Sequence, residues 1–350
     1  MKYGKIRIED GCLIFTRHMM INSLPCRDIV WAYMRREGAD GSDARQLLAS
    51  SLIIVTRRKK HYQFDMSEKE VHDCIRLLRV LNPDMAVGYP RGGRIPLQSL
   101  LNTRDLGAVA AKDGRHIIPR KLLRSGELYH ISASDKEILE NEYKLRTVID
   151  LRRDAQRKIK PDTIMAGVEY YHIPVPDEDS PIISPGKYLL ETLYALPDNT
   201  EEFVKEQYRN LILDKYSVKQ FARFFDVLFH QESGAVLWHS GTGKSTAGVG
   251  TALLLSVLGV EEDVIREDFM RTNRYLEPEL KYMQRFLMNR PDTDEKMLDK
   301  LKVLYQVKEE YIDIIFETIK IEYGSMEKFC QDGLYLKPKM TEELKNKFLI

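Results

Sequence analysis

Residues 236–250 read VLWHSGTGKSTAGVG, and this stretch decides the fold. The apolar residues 236–238 predict a buried strand, and the apolar run 249–258 predicts a helix. Between them lies a loop of small and hydroxyl-bearing residues with one lysine. The first N–H groups of a helix have no partner within the helix, and the helix dipole adds partial positive charge there. The stretch therefore predicts a loop that binds phosphate.

The candidate phosphate contacts are the residues of this loop and of the helix start. Glycine leaves backbone N–H groups accessible to an anion, lysine adds a full positive charge, and hydroxyl groups can donate hydrogen bonds. The predicted set is Gly241, Thr242, Gly243, Lys244, Ser245 and Gly248. No metal site and no cofactor are predicted, because histidine, cysteine and acidic residues do not cluster as ligands along the chain.

One alternative is a nucleotide-binding P-loop protein, because GTGKST is similar to the end of the pattern GxxxxGK[ST]. That pattern requires a glycine five residues before Gly243, where this chain has Trp238. A tryptophan cannot adopt the tight turn that glycine provides there. No downstream acidic strand for magnesium is evident either, so this alternative ranks last.

The loop also resembles the HCxxGxxR signature of cysteine-dependent tyrosine phosphatases. His239 and Gly243 stand in register with it, whereas Ser240 replaces the cysteine and Thr246 replaces the arginine. With its flanks, the stretch is similar to the bacterial tyrosine/dual-specificity phosphatase family, which carries HCxAGKDRTG followed by a leucine-rich helix. The lysine of that signature is retained as Lys244. The resemblance extends over residues 101–350 and implies a tyrosine-phosphatase-like domain.

Further segments carry the same resemblance, namely residues 102–132, 145–158, 168–175, 205–211, 267–276 and 309–329. It implies residues that support the loop, which are His239, Asp150, Arg152, Arg104, Asp105 and Arg124. For Asp105 we favour a structural role, and the Asp–Arg pair after the strand either lines the pocket or braces it. Asp177 and Asp179 follow a strand where related phosphatases carry a general acid, although their context is also typical of an exposed loop.

The replaced residues argue against ordinary catalysis. The family's nucleophile reacts as a thiolate, whereas the Ser240 hydroxyl stays protonated without an adjacent base. Thr246 offers one hydroxyl where arginine offers a planar fork to the phosphoryl oxygens. An engineered substitution of cysteine by serine would explain Ser240 alone, but not Ser245 in place of aspartate as well. We predict a pseudophosphatase that binds a phosphorylated protein, lipid or small molecule without turnover; the alternative is a weak or unconventional tyrosine or lipid phosphatase that uses Ser240.

Composition excludes several function classes. The 350 residues include 54 basic and 53 acidic ones, which gives no overall attraction to nucleic acid or membrane. The N-terminus does not read as a signal peptide, and the longest apolar stretch, residues 249–260, is too short to cross a bilayer. Four scattered cysteines form neither a metal motif nor a disulfide framework. We therefore expect a cytoplasmic protein without a transmembrane segment.

The sequence GYPRGG at residues 88–93 predicts a boundary between domains 1–90 and 95–350. Short β-type runs at residues 5–9, 12–17, 29–35, 52–57 and 61–66 precede it. A helix follows them, with Ser67 as N-cap and Glu70 completing a capping box. Strands closed by one C-terminal helix are similar to a pleckstrin-homology-like domain.

The first domain is locally basic, with 16 Lys and Arg against 11 Asp and Glu through residue 91. Its run of four basic residues, 57–60, either meets anionic lipid or forms a solvated hairpin turn. We favour the turn and expect this domain to contact a protein partner.

Strand and helix patterns alternate in the second domain, which predicts an α/β fold with a parallel central sheet flanked by helices. The phosphate loop should then lie at the carboxyl ends of the strands. A helical insertion at about residues 180–232 either covers the site as a lid or packs as part of the core.

Overall fold

A computed structural model describes residues 1–17, 19–37, 49–175 and 189–350. The chain divides into two compact units, Met1–Arg91 and Gly92–Leu349. The two positions expected to carry a general acid, Asp177 and Asp179, lie outside the described residues.

The first unit contains two four-stranded sheets, in the orders β1-β2-β3-β4 and β7-β6-β5-β8. Its strands are β1 (Lys2–Tyr3), β2 (Ile6–Glu9), β3 (Cys12–Arg17), β4 (Met20–Pro25), β5 (Ile29–Glu37), β6 (Ala49–Thr56), β7 (His61–Asp65) and β8 (Ala86–Val87). All neighbours are antiparallel except β5 and β8. The mainly-β architecture expected for this unit is therefore confirmed.

The helix of this unit, α1 (Glu68–Leu81), has the capping box that the sequence predicts. The Ser67 backbone N–H donates to Glu70 Oε2 at 3.0 Å, and the Glu70 N–H donates to Ser67 Oγ at 3.4 Å. Its apolar side chains at 71, 74, 75 and 78 are buried. This face joins the core between the sheets, which shows why the chain forms a helix there.

Strand β4 was not expected from the sequence. Met20 and Ile21 at its start are exposed, so the local pattern carries no alternation of buried and exposed positions. The strand is held instead by its pairing with β3, in which Leu24 lies opposite Leu13.

The second unit is built on a five-stranded sheet with the order β12-β11-β13-β10-β9. Its strands are β9 (Arg104–Asp105), β10 (Leu122–Ser125), β11 (Leu145–Asp150), β12 (Glu169–His172) and β13 (Ala235–His239). Strands β10 to β13 pair in parallel, and β9 adds an antiparallel edge. The predicted parallel central sheet is confirmed for these four strands. All five residues of β13 are buried, as expected for a central parallel strand covered on both faces.

Eleven helices of the described residues surround this sheet. They are α2 (Ala133–Glu137), α3 (Asp154–Ile159), α4 (Leu189–Ala195), α5 (Thr200–Leu213), α6 (Lys215–His230), α7 (Thr246–Val257), α8 (Glu262–Met288), α9 (Glu295–Tyr305), α10 (Glu309–Tyr323), α11 (Met326–Lys328) and α12 (Pro338–Phe348). Two short π-helical turns, Ile138–Glu142 and Phe329–Gly333, follow α2 and α11. No helix in the described ranges combines the length and apolar character needed to cross a bilayer.

The helical insertion belongs to the core in its two longer helices. Phe224 of α6 meets the Trp238 ring edge to face, with centroids 5.5 Å apart. Tyr208 of α5 is buried and stacks on Tyr311 of α10 at 5.0 Å. Helices α5 and α6 therefore pack as part of the core, which was one of the two options expected for the insertion.

Candidate phosphate-binding site

The loop of residues 240–245 connects β13 to α7 at the carboxyl end of the sheet. His239, the last residue of β13, lies in register with Ser125 of β10 and with Asp150 of β11. Three parallel strands therefore end beside the loop, and the position expected for it in an open α/β sheet is confirmed.

Three consecutive carbonyl groups anchor the loop to its surroundings. The Gly241 oxygen accepts the Glu127 backbone N–H at 3.0 Å, and the Thr242 oxygen accepts Nδ2 of Asn102 at 3.0 Å. The Gly243 oxygen accepts Nη2 of Arg124 at 2.7 Å. These bonds fix the carbonyl side of the loop from outside.

The N–H side of the loop is open. Within the described parts of the chain, no protein acceptor binds the backbone N–H groups of residues 241–245. Successive N–H groups without partners form a concave anion site, and the start of α7 adds its dipole there. The backbone can therefore hold an anion without help from side chains.

Gly243 makes this loop shape possible. Its φ of +70° lies in the left-handed region, and a Cβ at this position would lie 2.4 Å from the Ser125 carbonyl oxygen. Any other residue would clash with the end of β10. This close approach explains why a glycine stands at the position shared with the phosphatase signature.

A buried pair of arginines lies beneath the loop. Arg124 Nη1 binds Asp268 Oδ2 at 2.7 Å, and Arg104 Nη1 binds Asp268 Oδ1 at 3.1 Å, with 5% or less of each side chain exposed. Burial alone would raise the Asp268 pKa, but the two guanidinium groups hold it below its usual value. Burial and the neighbouring Arg124 lower the pKa of Arg104 to about 9. Asp268 holds the two arginines together; Arg124 binds the loop directly at Gly243, and Arg104 binds Asn102, which in turn binds Thr242.

Gly248 and Asp105, two residues of the predicted site, have structural contacts near the loop. A Cβ on Gly248 would lie 3.1 Å from Arg124 Nη2, so this glycine gives the arginine room. Asp105 accepts the backbone N–H groups of Gly107 and Arg120 at 2.8 and 2.9 Å. Burial raises the Asp105 pKa to about 6.

Arg152 organises a second buried cluster at the ends of β11 and β13. Its guanidinium binds Asp150 at 2.8 Å and Asp162 at 2.7 Å. Asp162 also lies 2.9 Å from His239 Nε2. Burial lowers the His239 pKa, but the two carboxylates outweigh it and the net shift is upward. Asp150, Asp162 and His239 are close enough to hold a metal ion, but both carboxylates already bind the Arg152 cation. The cluster braces the strand ends.

The two positions that carry chemistry in the signature are nearly buried. Ser240 is 9% exposed, and Thr246, the first residue of α7, is 8% exposed. Among the described residues, no basic or acidic side chain hydrogen-bonds the Ser240 hydroxyl, and the neighbouring His239 Nε2 is engaged by Asp162. The serine therefore lacks a general base in this arrangement.

Lys244 does not follow the expectation of a phosphate contact in this conformation. Its Nζ donates to the Leu304 carbonyl at 2.6 Å and lies 3.3 Å from the Gln306 carbonyl. Burial lowers its pKa to about 7. The ammonium group is therefore engaged at the end of α9, and a phosphate must compete with two carbonyl groups for it.

A cavity of about 270 Å³ opens beside Gly241 and Thr242. The charged side chains on its wall are Glu127, Lys160 and Glu279. Sequence reasoning missed these three, together with Asn102, Asp162 and Asp268. Asn102 and Asp268 lie inside segments that carried the family resemblance, whereas Lys160 and Asp162 follow just after such a segment. Their position in or next to these segments was the one sign in the sequence that they belong to the site. Their contacts with the loop and its supporting residues are visible only in the folded chain.

Comparisons with known proteins identify the family of the second unit. A sequence profile of the tyrosine phosphatase family matches residues 95–350, and residues 1–92 match a domain of unknown function (DUF6709). A putative tyrosine-protein phosphatase of Cupriavidus necator is 24% identical over 245 residues, which cover 69% of this chain and 84% of that protein. The triple specificity protein phosphatase PtpB of Mycobacterium tuberculosis is 24% identical over 259 residues, covering 66% of this chain and 91% of that protein.

Among solved structures, the core catalytic domain of the PP-IP phosphatase SIW14 from S. cerevisiae aligns over 97% of its length and 65% of this chain, with 11% identity and a TM-score of 0.27. The sequence profile covers most of the chain and includes the phosphate loop with its supporting arginines. The chain therefore belongs to the tyrosine phosphatase family.

Proposed function

We propose that this protein binds a phosphate-bearing ligand without hydrolysing it. One observation carries the proposal. The loop keeps free backbone N–H groups, whereas hydroxyl side chains occupy the positions of the catalytic cysteine and arginine. The anion site depends on the backbone, so it survives the loss of the catalytic side chains. Turnover depends on the side chains that Ser240 and Thr246 replace.

The missing chemistry has two parts. A thiolate attacks phosphorus because it is already ionised, whereas Ser240 would need a base. His239 binds Asp162 through Nε2, and its Nδ1 makes no hydrogen bond to Ser240 or to any other described residue. The transition state also needs a bidentate cation on its equatorial oxygens. Arg104, Arg124 and Arg152 are buried and bound to carboxylates, so none replaces that arginine.

No observation favours the other two functions. A weak phosphatase that uses Ser240 would need a base within reach of the hydroxyl. A nucleotide-binding P-loop would need a tight glycine turn at position 238, where Trp238 is buried in β13 and donates its indole N–H to Thr251 Oγ1 at 3.0 Å.

For the first unit we infer a pleckstrin-homology-like domain that contacts a protein partner. Two four-stranded sheets and a single helix packed against them support this inference. The basic residues 57–60 occupy the exposed turn between β6 and β7, as a solvated hairpin turn would. We also infer a cytoplasmic location, which the four free cysteines support.

Two measurements test the proposed function. Calorimetry with inorganic phosphate and with a phosphotyrosine peptide should give millimolar or tighter binding. Hydrolysis of aryl phosphates and of the same peptide should not exceed the rate of the Ser240→Ala variant. Turnover that is robust in the wild type and lost in Ser240→Ala would establish the unconventional phosphatase instead. No binding of any phosphorylated compound would leave a purely structural loop.

A further inference from the structure

The cavity beside the loop contains one basic side chain on its wall, Lys160. Its other wall residues are neutral apart from Glu127 and Glu279. A ligand that reaches from the loop into this cavity, beside Gly241 and Thr242, would therefore meet a single cation and two carboxylates. A site for a ligand with several phosphate groups would need more positive than negative side chains, and this cavity has the opposite balance.

Lys160 is positioned at the loop through Glu127. Its Nζ lies 2.5 Å from Glu127 Oε1, and the Glu127 backbone N–H holds the Gly241 carbonyl at 3.0 Å. The Lys160 side chain is 29% exposed, so its ammonium is accessible. An ammonium group has three N–H donors, and the ion pair leaves donors for a ligand.

The other cations near the loop are not available. Lys244 is buried and binds the Leu304 carbonyl at 2.6 Å. Arg124 is buried and binds Asp268 at 2.7 Å. Arg152 is buried and bound to Asp150 and Asp162. Unlike these three groups, Lys160 is partly exposed, and it can meet a ligand without breaking a buried ion pair.

Glu279 limits what the cavity can accept. Its carboxylate receives the Tyr305 hydroxyl at 3.3 Å, and no basic side chain within the described ranges forms an ion pair with it. Burial raises its pKa; the Tyr305 hydroxyl and the Lys160 cation oppose this shift, and the like charge of Glu127 adds to it. A second phosphate group placed in this cavity would face both carboxylates.

We propose that Lys160 binds the ligand's phosphate from the wall of this cavity, and that Glu127 and Glu279 restrict the cavity to singly phosphorylated ligands. This inference rests on the proposed function, because it assigns the residues that select the ligand of the same loop. It excludes pyrophosphates and clustered phosphates as preferred ligands.

Calorimetry with inorganic phosphate and with pyrophosphate tests this proposal on the full chain. Lys160→Met should weaken phosphate binding about 10- to 100-fold, the loss expected for a charged hydrogen bond. Lys158→Met is the matched control, because Lys158 is exposed on α3 two residues earlier, and its affinity should stay within about twofold of the wild type.

The wild type should bind pyrophosphate more weakly than phosphate. Glu279→Gln should raise pyrophosphate affinity relative to phosphate, whereas Glu277→Gln, an exposed change on the same helix, should leave the ratio unchanged. Circular dichroism confirms that each variant is folded.

The outcomes separate the two proposals. If the wild type binds phosphate and Lys160→Met binds it equally well, the assignment of Lys160 is wrong while the proposed function stands. If pyrophosphate binds more tightly than phosphate, the single-phosphate restriction is wrong. If the wild type binds neither anion nor a phosphotyrosine peptide, the proposed function fails and this inference fails with it.

Discussion

Asp268→Asn should destabilise the second unit strongly. Asp268 is the shared partner of Arg104 and Arg124, at 3.1 and 2.7 Å, and both guanidinium groups belong to side chains with no exposed area. Asparagine keeps the shape but removes the charge, which leaves two buried cations without a counter-ion. Breaking a buried ion pair by removing one partner costs about 3–5 kcal/mol.

That cost is large against the total stability of a domain, which is about 5–15 kcal/mol. For a unit of this size it corresponds to a fall in Tm of roughly 6–20 °C, at about 2–4 °C per kcal/mol. Denaturant unfolding of the wild type and the variant measures the difference directly. The two arginines hold the Asp268 pKa low, so its stabilising contribution is present above the unfolded pKa. It is lost only as the pH falls through the folded pKa, so the difference between the two proteins should shrink in acid.

Asp263→Asn is the matched control on the same helix. The Asp263 side chain is 98% exposed and lies 3.2 Å from Arg266, so its loss should change the free energy of unfolding by no more than about 0.5 kcal/mol. A loss below about 1 kcal/mol for Asp268→Asn would refute the reasoning, since it would mean that the arginines do not depend on this carboxylate.

Three more predictions concern the loop and its support. Ser240→Cys alone should not give ordinary phosphatase turnover, because Thr246 supplies no bidentate cation. The missing cation costs about 3 kcal/mol of transition-state stabilisation. Initial rates on an aryl phosphate measure this, and adding Thr246→Arg should recover part of the activity. Gly243→Ala should destabilise by about 2 kcal/mol or more, since its φ is +70° and the added Cβ would strike a strand carbonyl. By contrast, Gly250→Ala, whose Cβ would make ordinary contacts, should stabilise α7 by about 0.5–1 kcal/mol in the same unfolding assay. Asp105→Asn should change the pH dependence of stability, because the folded pKa of Asp105, about 6, lies above the unfolded pKa of about 3.9. The wild type should therefore lose up to about 3 kcal/mol of stability as the pH rises from about 4 to 6, and a variant that loses the same amount would contradict this pKa.

Features that depend on neighbours along the chain could be predicted from the sequence. The apolar run into β13, the small-residue loop and the apolar α7 follow from local patterns, and the capping box of Ser67 and Glu70 follows from spacing. Family membership was also readable, because the supporting residues keep their order along the chain. Strand β4 escaped detection, since Met20 and Ile21 are exposed and only pairing with β3 holds the strand.

Only the tertiary structure decided where the charged side chains of the site point. Lys244 looked like a phosphate ligand in its loop, but its ammonium binds carbonyl groups 60 and 62 residues away in sequence. Asp268 meets Arg104 and Arg124 across 164 and 144 residues, and Lys160 reaches the loop through Glu127. A long charged side chain goes where burial, hydrogen bonds and opposite charge together lower its free energy. Those partners come from distant segments, so their positions exist only once the chain has folded.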